Sequence, residues 1–283
     1  MCIVNFETRG VPGIAADEGS GWHGLSQSDS GFPGTLPELI AQGSDLLHIG
    51  RTLGQSAGID LKAVQLLPPV PAPPKILCVG LNYEDHLEES GLKKPEYPEI
   101  FARFASSLIA HQDPIRRPRE STALDYEAEL AVVIGKPGRR ISQEQALDHV
   151  AGYSLFNDAT MRDFQVRTPQ WTMGKNFDGT GSFGPWLVTP DAVPPGARGL
   201  HIQGRLNGRV VQDSRTDLLI FSVPVLIATV SVAMSLERGD VIITGTPGGV
   251  GAAHKPPVFM KAGDIFEVEI EKVGVLTNPV QNG

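Results

Sequence analysis

The stretch from Asp125 to Lys136, DYEAELAVVIGK, places acidic residues at the start of a small and branched apolar run that is typical of a core strand. Side chains alternate between the two faces of a strand, so Asp125, Glu127 and Glu129 are predicted to share one face. Burying an unpaired carboxylate is costly, and like charges two positions apart repel each other. The acidic end of this run therefore requires water, a basic partner or a metal ion.

Length and charge limit the class of protein. The chain has 283 residues, a formal net charge of -8, 41% hydrophobic residues and 20% charged residues. This composition is typical of a soluble globular protein with a sizeable core, and an acidic chain without a basic stripe is not expected to bind nucleic acid. Two cysteines, Cys2 and Cys78, are too few for a thiolate zinc cluster or a disulfide framework. A cytoplasmic location is therefore expected.

Membrane insertion is also disfavoured. The N-terminal segment has an early acidic residue and no long apolar run, so it does not resemble a secretory signal. The run from Leu218 to Leu236 is long enough on length alone to span a bilayer. Pro224 after an N-cap residue, Ser222, indicates the start of a buried helix instead. No membrane partner is expected.

A proline-rich stretch divides the chain. Residues 67–74, LPPVPAPP, contain five prolines and favour an extended, stiff tether, with a proline-rich ligand for a partner as the alternative. We predict a small N-terminal domain at 1–70 and a catalytic domain at 71–283. The many short strands beyond the tether, with helices at 142–150 and 224–236, do not alternate regularly, which predicts a β-rich α+β fold.

A second acidic position supplies a candidate metal site. Asp158 follows the strand-like segment 152–156. If it meets Glu127 and Glu129 in space, the three carboxylates form an all-oxygen site suited to Mg²⁺ or Mn²⁺, with Ca²⁺ as a further alternative. Solvation of the Glu-x-Glu pair at a strand edge is the competing interpretation.

A histidine and a glutamate three residues apart suggest a base. His86 and Glu89 lie in a short polar segment that is predicted to be helical, so the two side chains would share a face. The carboxylate would then orient the imidazole and raise its basicity, as a general base requires. A charged pair on a surface helix is the alternative.

Cationic and amide side chains follow Asp158. Arg162, Gln165 and Lys175 are suited to binding an anionic substrate or stabilising an enolate. Alternatively, Arg162 pairs with Asp163 or Asp178.

The glycine-rich segment 243–251, ITGTPGGVG, lacks the Lys-Ser/Thr ending of a nucleotide-binding P-loop. It is predicted instead to offer backbone N–H groups and the Thr246 hydroxyl to a carboxylate.

Five motifs in this order resemble the fumarylacetoacetate hydrolase superfamily over roughly residues 75–278, whose members act on 2-oxo acids and 1,3-dicarbonyl compounds. The motifs are GLNYxxHxxE, DYExELAVVIG, NDxxxRDxQ, GKxFD and GDVIxTGTPxGVG. The resemblance implies a catalytic domain built on a rolled mixed β-sheet, and a homodimer. Two departures from the family pattern, Met161 and a short stretch between Gln165 and Lys175, leave the shape of the substrate pocket open.

The resemblance also implies roles for individual residues. By this resemblance, Glu127, Glu129 and Asp158 bind a divalent metal ion, usually magnesium. His86 and Glu89 activate water, on a segment that closes as a lid in relatives. The residues that contact the substrate or its enolate are Arg162, Gln165 and Lys175, and Thr246 faces the substrate carboxylate.

These roles lead to metal-dependent hydrolysis of a C–C bond in an acylpyruvate-like 1,3-diketo acid as the first hypothesis. Decarboxylation of oxaloacetate and isomerisation of a 2-hydroxymuconate-type diene would use the same site. A module that binds a small molecule and keeps a structural cation is the non-enzymatic alternative.

Overall fold

A computed structural model describes residues 1–91 and 93–283, which contain eighteen strands and six α-helices. The strands are β1 (Cys2–Thr8), β2 (Val11–Asp17), β3 (His23–Ser26), β4 (Gln65–Leu67), β5 (Ile76–Gly80), β6 (Glu99–Arg103), β7 (Leu108–Ile109), β8 (Ile115–Arg117), β9 (Leu124–Asp125), β10 (Ala128–Ile134), β11 (Val150–Asp158), β12 (Thr160–Met161), β13 (Gly181–Val188), β14 (His201–Leu206), β15 (Arg209–Arg215), β16 (Val241–Ile243), β17 (Ile265–Ile270) and β18 (Gly274–Asn282). The helices are α1 (Leu36–Gln42), α2 (Leu46–Leu53), α3 (Glu84–Ser90), α4 (Arg162–Gln165), α5 (Thr172–Lys175) and α6 (Val223–Ala233).

The strands form two main mixed sheets, which confirms the β-rich α+β prediction. Within the described ranges, the larger sheet has eleven strands, with the central order β3-β2-β1-β13-β11-β10-β16-β5-β6. The smaller sheet has the order β15-β14-β17-β18-β8 and packs against β10, β11 and β13 of the larger one. Most pairs are antiparallel, but β16 with β5, β13 with β7 and β18 with β8 are parallel.

Strand β10 lies inside the larger sheet and is buried along its whole length. Leu130 and Val132 face the core shared with the smaller sheet, whereas Ala131 and Val133 face the core covered by α1 and α2. This is the two-residue alternation of a strand with both faces buried. The apolar part of the 125–136 run is thus the anchor of the fold, as its composition predicts.

The N-terminal strands join the same sheet. Cys2 in β1 pairs with Val188 in β13, and the Thr189 N–H donates to the Met1 carbonyl at 3.0 Å. Strand β4 pairs with β1 immediately before the proline-rich stretch. The division into domains at residue 70 stays a prediction, because strands from both sides of that point share one hydrogen-bonded sheet.

Two predicted helices differ from the structure. The segment 142–150 forms only a 3₁₀ turn at Ala146–His149 before β11 begins. The His149 carbonyl accepts the N–H groups of Gly135 and Lys136, at 2.8 and 3.2 Å, so the end of β10 takes the acceptor that a continuing helix would use. The segment predicted at 224–236 is the eleven-residue helix α6. None of the helices in the described part of the chain has the length and apolar character needed to cross a membrane.

Replacement of Ile3 by alanine tests whether the N-terminal strands and the central sheet unfold together. Ile3 is fully buried between β2 and β13, so the truncation should lower the free energy of unfolding by about 2–5 kcal/mol. Denaturant titration followed by fluorescence and circular dichroism should show a single transition. Ile265→Ala, the same change at a side chain that is 45% exposed, is the matched control. A separate transition with an unshifted midpoint would instead support independent domains divided near residue 70.

Candidate active site

The start of β10 meets the end of β11 and brings the acidic residues together. The Glu127 N–H donates to Asn157 Oδ1 at 3.0 Å, and the Asp158 N–H donates to the Glu127 carbonyl at 3.0 Å. Glu127, Glu129 and Asp158 are buried, and one carboxylate oxygen from each lies within 4.8 Å of the other two. The structure therefore places the three predicted metal ligands in one cluster.

Lys175 neutralises two members of this cluster. Its Nζ lies 2.6 Å from Glu127 Oε2 and 2.6 Å from Asp158 Oδ2, and the residue is 2% exposed. Burial alone would lower the pKa of Lys175, but the carboxylates of Asp158 and Glu127 raise it above its ordinary value. Lys175 is therefore a protonated, fixed cation at the centre of the site.

Arg103 is a further site residue, which the sequence reasoning missed. It ends β6, is buried, and donates from Nη1 to Asp158 Oδ1 and from Nη2 to Thr180 Oγ1. Burial alone would raise the pKa of Asp158, but Lys175 and Arg103 hold it below its usual range. The only signal in the sequence is an arginine within the apolar segment IFARF, which does not reveal a partner 55 residues away.

Arg162 binds the other side of the cluster. Its Nε lies 2.7 Å from Asp125 Oδ2, and its Nη1 lies 2.7 Å from Glu127 Oε1 and 3.0 Å from Gln165 Oε1. Burial alone would lower the pKa of the Arg162 guanidinium, but the carboxylates of Asp125 and Glu127 raise it above its ordinary value. Within the described ranges, Nη2 is buried without a hydrogen-bond partner. The partners are Asp125 and Glu127, and not Asp163 or Asp178 as in the alternative interpretation of the sequence.

Glu129 differs from its two neighbours because no ion pair reaches it among residues 1–91 and 93–283. Its Oε2 accepts the Gly245 N–H at 2.5 Å. Burial, followed by the charges of Asp158 and Glu127, raises the pKa of Glu129 well above its usual range. A buried all-oxygen cluster with one uncompensated carboxylate fits a hard divalent cation. The three carboxylates would hold this cation.

The glycine-rich loop after β16 binds acidic side chains of the protein itself. The N–H donors and their carboxylate acceptors are Gly245 with Glu129, Gly248 with Asp85, Gly249 with Glu89, and Gly251 and Ala252 with Asp125. The Thr246 hydroxyl donates to the Ala128 carbonyl at 3.0 Å and accepts from Gln212 Nε2 at 2.8 Å. The predicted contact between Thr246 and a substrate carboxylate stays a prediction, and the loop organises the cluster.

Helix α3 carries His86 to the same site. Asp85 fixes the helix by accepting from the Gly248 N–H and the Ser214 hydroxyl. Burial lowers the pKa of His86 below its usual value, although Glu127 opposes this shift, so the imidazole is neutral at pH 7. His86 Nδ1 is buried and has no hydrogen-bond partner in the described structure. Because the Glu89 carboxylate accepts from Gly249, the His86–Glu89 dyad stays a prediction.

Seven of the polar side chains of this region line one cavity of about 210 Å³. Its polar lining comprises His86, Glu127, Glu129, Arg162, Gln165, Lys175 and Thr246. Its apolar lining comprises Val79, Gly80, Leu81, Phe101, Val166 and Trp171. The volume lies below the range of about 300–1,000 Å³ that is usual for drug-sized ligands, so the cavity is suited to a small organic acid.

Known proteins resemble the chain over nearly its whole length. The mitochondrial oxaloacetate tautomerase fahd2 of Xenopus laevis is 40% identical over 99% of this chain and 90% of its own length. The solved fumarylacetoacetate hydrolase of Exiguobacterium antarcticum is 36% identical with a TM-score of 0.84, and the maleylpyruvate hydrolase of Sphingobium sp. SYK-6, solved with manganese(II) and pyruvate, is 30% identical with a TM-score of 0.81. Both structural matches cover 100% of each chain.

The family model described as fumarylacetoacetate (FAA) hydrolase C-terminal matches residues 75–281, which include every residue of the buried acidic cluster. Together with the relative of 40% identity, this match shows that the chain belongs to the fumarylacetoacetate hydrolase family.

Proposed function

We propose that the protein is a divalent-metal-dependent enzyme that interconverts the keto and enol forms of a small 2-oxo dicarboxylic acid of the oxaloacetate type. The observation that carries the proposal is a pair of buried nitrogen atoms that have no hydrogen-bond partner in the described part of the chain, Arg162 Nη2 and His86 Nδ1. Both residues line the same cavity as Glu127 and Glu129 of the acidic cluster. A ligand that satisfies both nitrogens would remove the cost of leaving them buried and unpaired.

The charges of the cavity match two anionic groups on one small molecule. A 2-oxo acid offers a carboxylate and a neighbouring carbonyl oxygen, which are suited to a cation held by Glu127, Glu129 and Asp158. The second carboxylate of a dicarboxylic acid matches the free Nη2 of Arg162, since a guanidinium binds carboxylates with strong, directed hydrogen bonds. The tautomerase relative supports oxaloacetate as the example of this class.

A bound divalent cation would supply Lewis-acid polarisation of the 2-oxo group. The manganese(II) in the structure of the Sphingobium maleylpyruvate hydrolase supports a divalent ion, and the expected preference for magnesium stays a prediction.

Proton transfer by His86 completes the proposed reaction. The neutral imidazole takes a proton from C3, next to the 2-oxo group, while the C2–C3 double bond forms and negative charge develops on the oxygen at C2. The fixed ammonium of Lys175 stabilises that charge. Return of the proton to this oxygen gives the enol, so bonds and protons balance without a further reactant.

Hydrolysis of a C–C bond is the second candidate. Two observations favour it: His86 has the lowered pKa of a neutral base, and the Sphingobium relative is a maleylpyruvate hydrolase. Activation of water would be helped by Glu89 as an orienting partner, but this carboxylate is bound to the Gly249 N–H. Enolisation requires only the His86 imidazole, the Lys175 ammonium and the divalent cation. We therefore prefer keto–enol interconversion to hydrolysis as the proposed reaction. Decarboxylation would instead break the C3–C4 bond of the keto form and leave a pyruvate enolate. Diene isomerisation would move a proton within a different substrate, and both reactions would use the same 2-oxo acid site.

Parallel assays of oxaloacetate, acetylpyruvate and a dienoic 2-hydroxy acid, each with magnesium and with chelator, should separate these reactions. We expect magnesium-dependent acceleration of the change in enol absorbance of oxaloacetate, without a matching release of carbon dioxide. Release of acetate from acetylpyruvate, with no effect on the enol of oxaloacetate, would contradict the proposal and favour hydrolysis.

Replacement of Glu129 by glutamine should weaken binding of Mn²⁺ at least ~10-fold, because a neutral amide replaces the uncompensated carboxylate of the cluster. Calorimetric titration with Mn²⁺ measures the affinity, and a melting curve checks the fold. Glu267→Gln, the same change on β17 where the side chain pairs with Arg205, is the matched control. An unchanged affinity for Mn²⁺ would remove Glu129 from the metal site.

Replacement of His86 by alanine should reduce turnover of oxaloacetate at least ~100-fold, because the proposed base is lost. The pH profile gives a second measurement. Since the pKa of His86 is lowered, the neutral form persists below pH 6.5, and wild-type activity should fall only as the pH drops through that lowered pKa. His201→Ala changes an exposed histidine on β14 and is the control. Near-normal turnover in the His86 variant would exclude it as the base.

A further inference from the structure

One wall of the cavity has no part in the proposed chemistry. Trp171 lines this wall, next to Phe101 from β6 and the end of β5 at Gly80. The segment that carries Trp171 lies between Gln165 and Lys175, where the chain departs from the family pattern. This apolar wall therefore contributes to the site through its shape.

Close packing fixes the indole of Trp171. A Cβ added to Gly80 would lie 2.3 Å from Trp171 Cζ3 and 2.7 Å from Cη2, so the ring lies directly against the backbone at the end of β5. Phe101 contacts the indole edge to face, with a centroid distance of 5.3 Å and an interplanar angle of 67°. With contacts on two sides, the indole is held as a rigid part of the wall.

The main chain of Trp171 also connects this wall to the catalytic cation. Its carbonyl accepts the N–H groups of Gly174 and Lys175, at 2.9 and 3.2 Å, which closes the single turn of α5. The Phe101 ring that contacts the indole lies 5.0 Å from Lys175 Nζ. The distance between the apolar wall and the ammonium is therefore set by one short, well-packed unit.

We propose that Trp171 is the residue that determines substrate size, and that it restricts the cavity to short 2-oxo acids by excluding those with a bulky substituent on the carbon chain. The proposal rests on the proposed function for its substrate class. A cavity of about 210 Å³ has room for a compact acid, and the rigid indole occupies the space that a longer acyl or aryl group would need. Size selection follows from steric exclusion, since the ring cannot move without losing its contacts with Gly80 and Phe101.

The variants Trp171→Ala and Trp171→Phe test the proposal in the magnesium-loaded protein. The ratio of kcat/KM for benzoylpyruvate to kcat/KM for oxaloacetate should rise at least ~10-fold in the alanine variant and by a smaller factor in the phenylalanine variant. Met173→Ala changes an exposed side chain in α5 that does not line the described cavity, and it should leave the ratio unchanged. Circular dichroism and melting curves verify that each variant folds.

A binding measurement separates this proposal from the proposed function. Calorimetry of the magnesium-loaded protein with pyruvate and with phenylpyruvate should show a shift of at least ~10-fold in favour of phenylpyruvate in Trp171→Ala. If wild type does not enolise oxaloacetate but the binding ratio shifts, the proposed function fails and size selection by Trp171 stands. If wild type enolises oxaloacetate but Trp171→Ala loses both ligands equally, or keeps the wild-type ratio, Trp171 is only structural and the inference is overturned.

Discussion

The structure depends on the compensation of buried negative charge at the junction of β10 and β11. In the described residues, four buried acidic side chains meet three cations there, so one of the acids has no cation as a partner. The carboxylates are Asp125, Glu127, Glu129 and Asp158, and the cations are Arg103, Arg162 and Lys175. Because each cation pairs with at least one of the other three acids, the deficit falls on Glu129. This location explains why the site fits a cation, and why the surrounding core must be rigid enough to hold like charges together.

The glycine-rich loop performs the remaining neutralisation with backbone dipoles. Gly245 donates to Glu129 on the acidic cluster, and Gly249 donates to Glu89 on α3. Gly245, at φ 101°, has a conformation that few other residues adopt, and a Cβ there would lie 2.8 Å from Asn82 Cβ. The sequence predicts N–H donors at this loop but does not identify their acceptors. The structure shows that the acceptors of these donors are carboxylates of the protein, whereas the contact between Thr246 and a substrate carboxylate stays a prediction.

The residues of the site that could be predicted are those that belong to a short, regular pattern in the sequence. The two-residue spacing of Glu127 and Glu129 and the position of Asp158 at the end of a strand predict the acidic cluster, because both follow from strand geometry. Arg103 could not be found in this way, since a lone arginine in a strand has no periodic signature. Asp125 shares the alternation but belongs to β9, and its role as the partner of Arg162 depends on a break in the strand. The homodimer and the cytoplasmic location stay predictions, because contacts within one chain do not determine them.

The positions of the base and of the acidic cluster are coupled through one loop. The loop binds Glu129 at one end and, four residues later, α3 through Glu89, while Asp85 adds a contact at Gly248. His86 lies on α3 between the two acids that the loop holds. A rotation of α3 would move His86 together with Asp85 and Glu89, and so would disturb their hydrogen bonds with Gly248 and Gly249. The orientation of the base is therefore part of the same hydrogen-bond network that fixes Glu129, and the two cannot be changed independently.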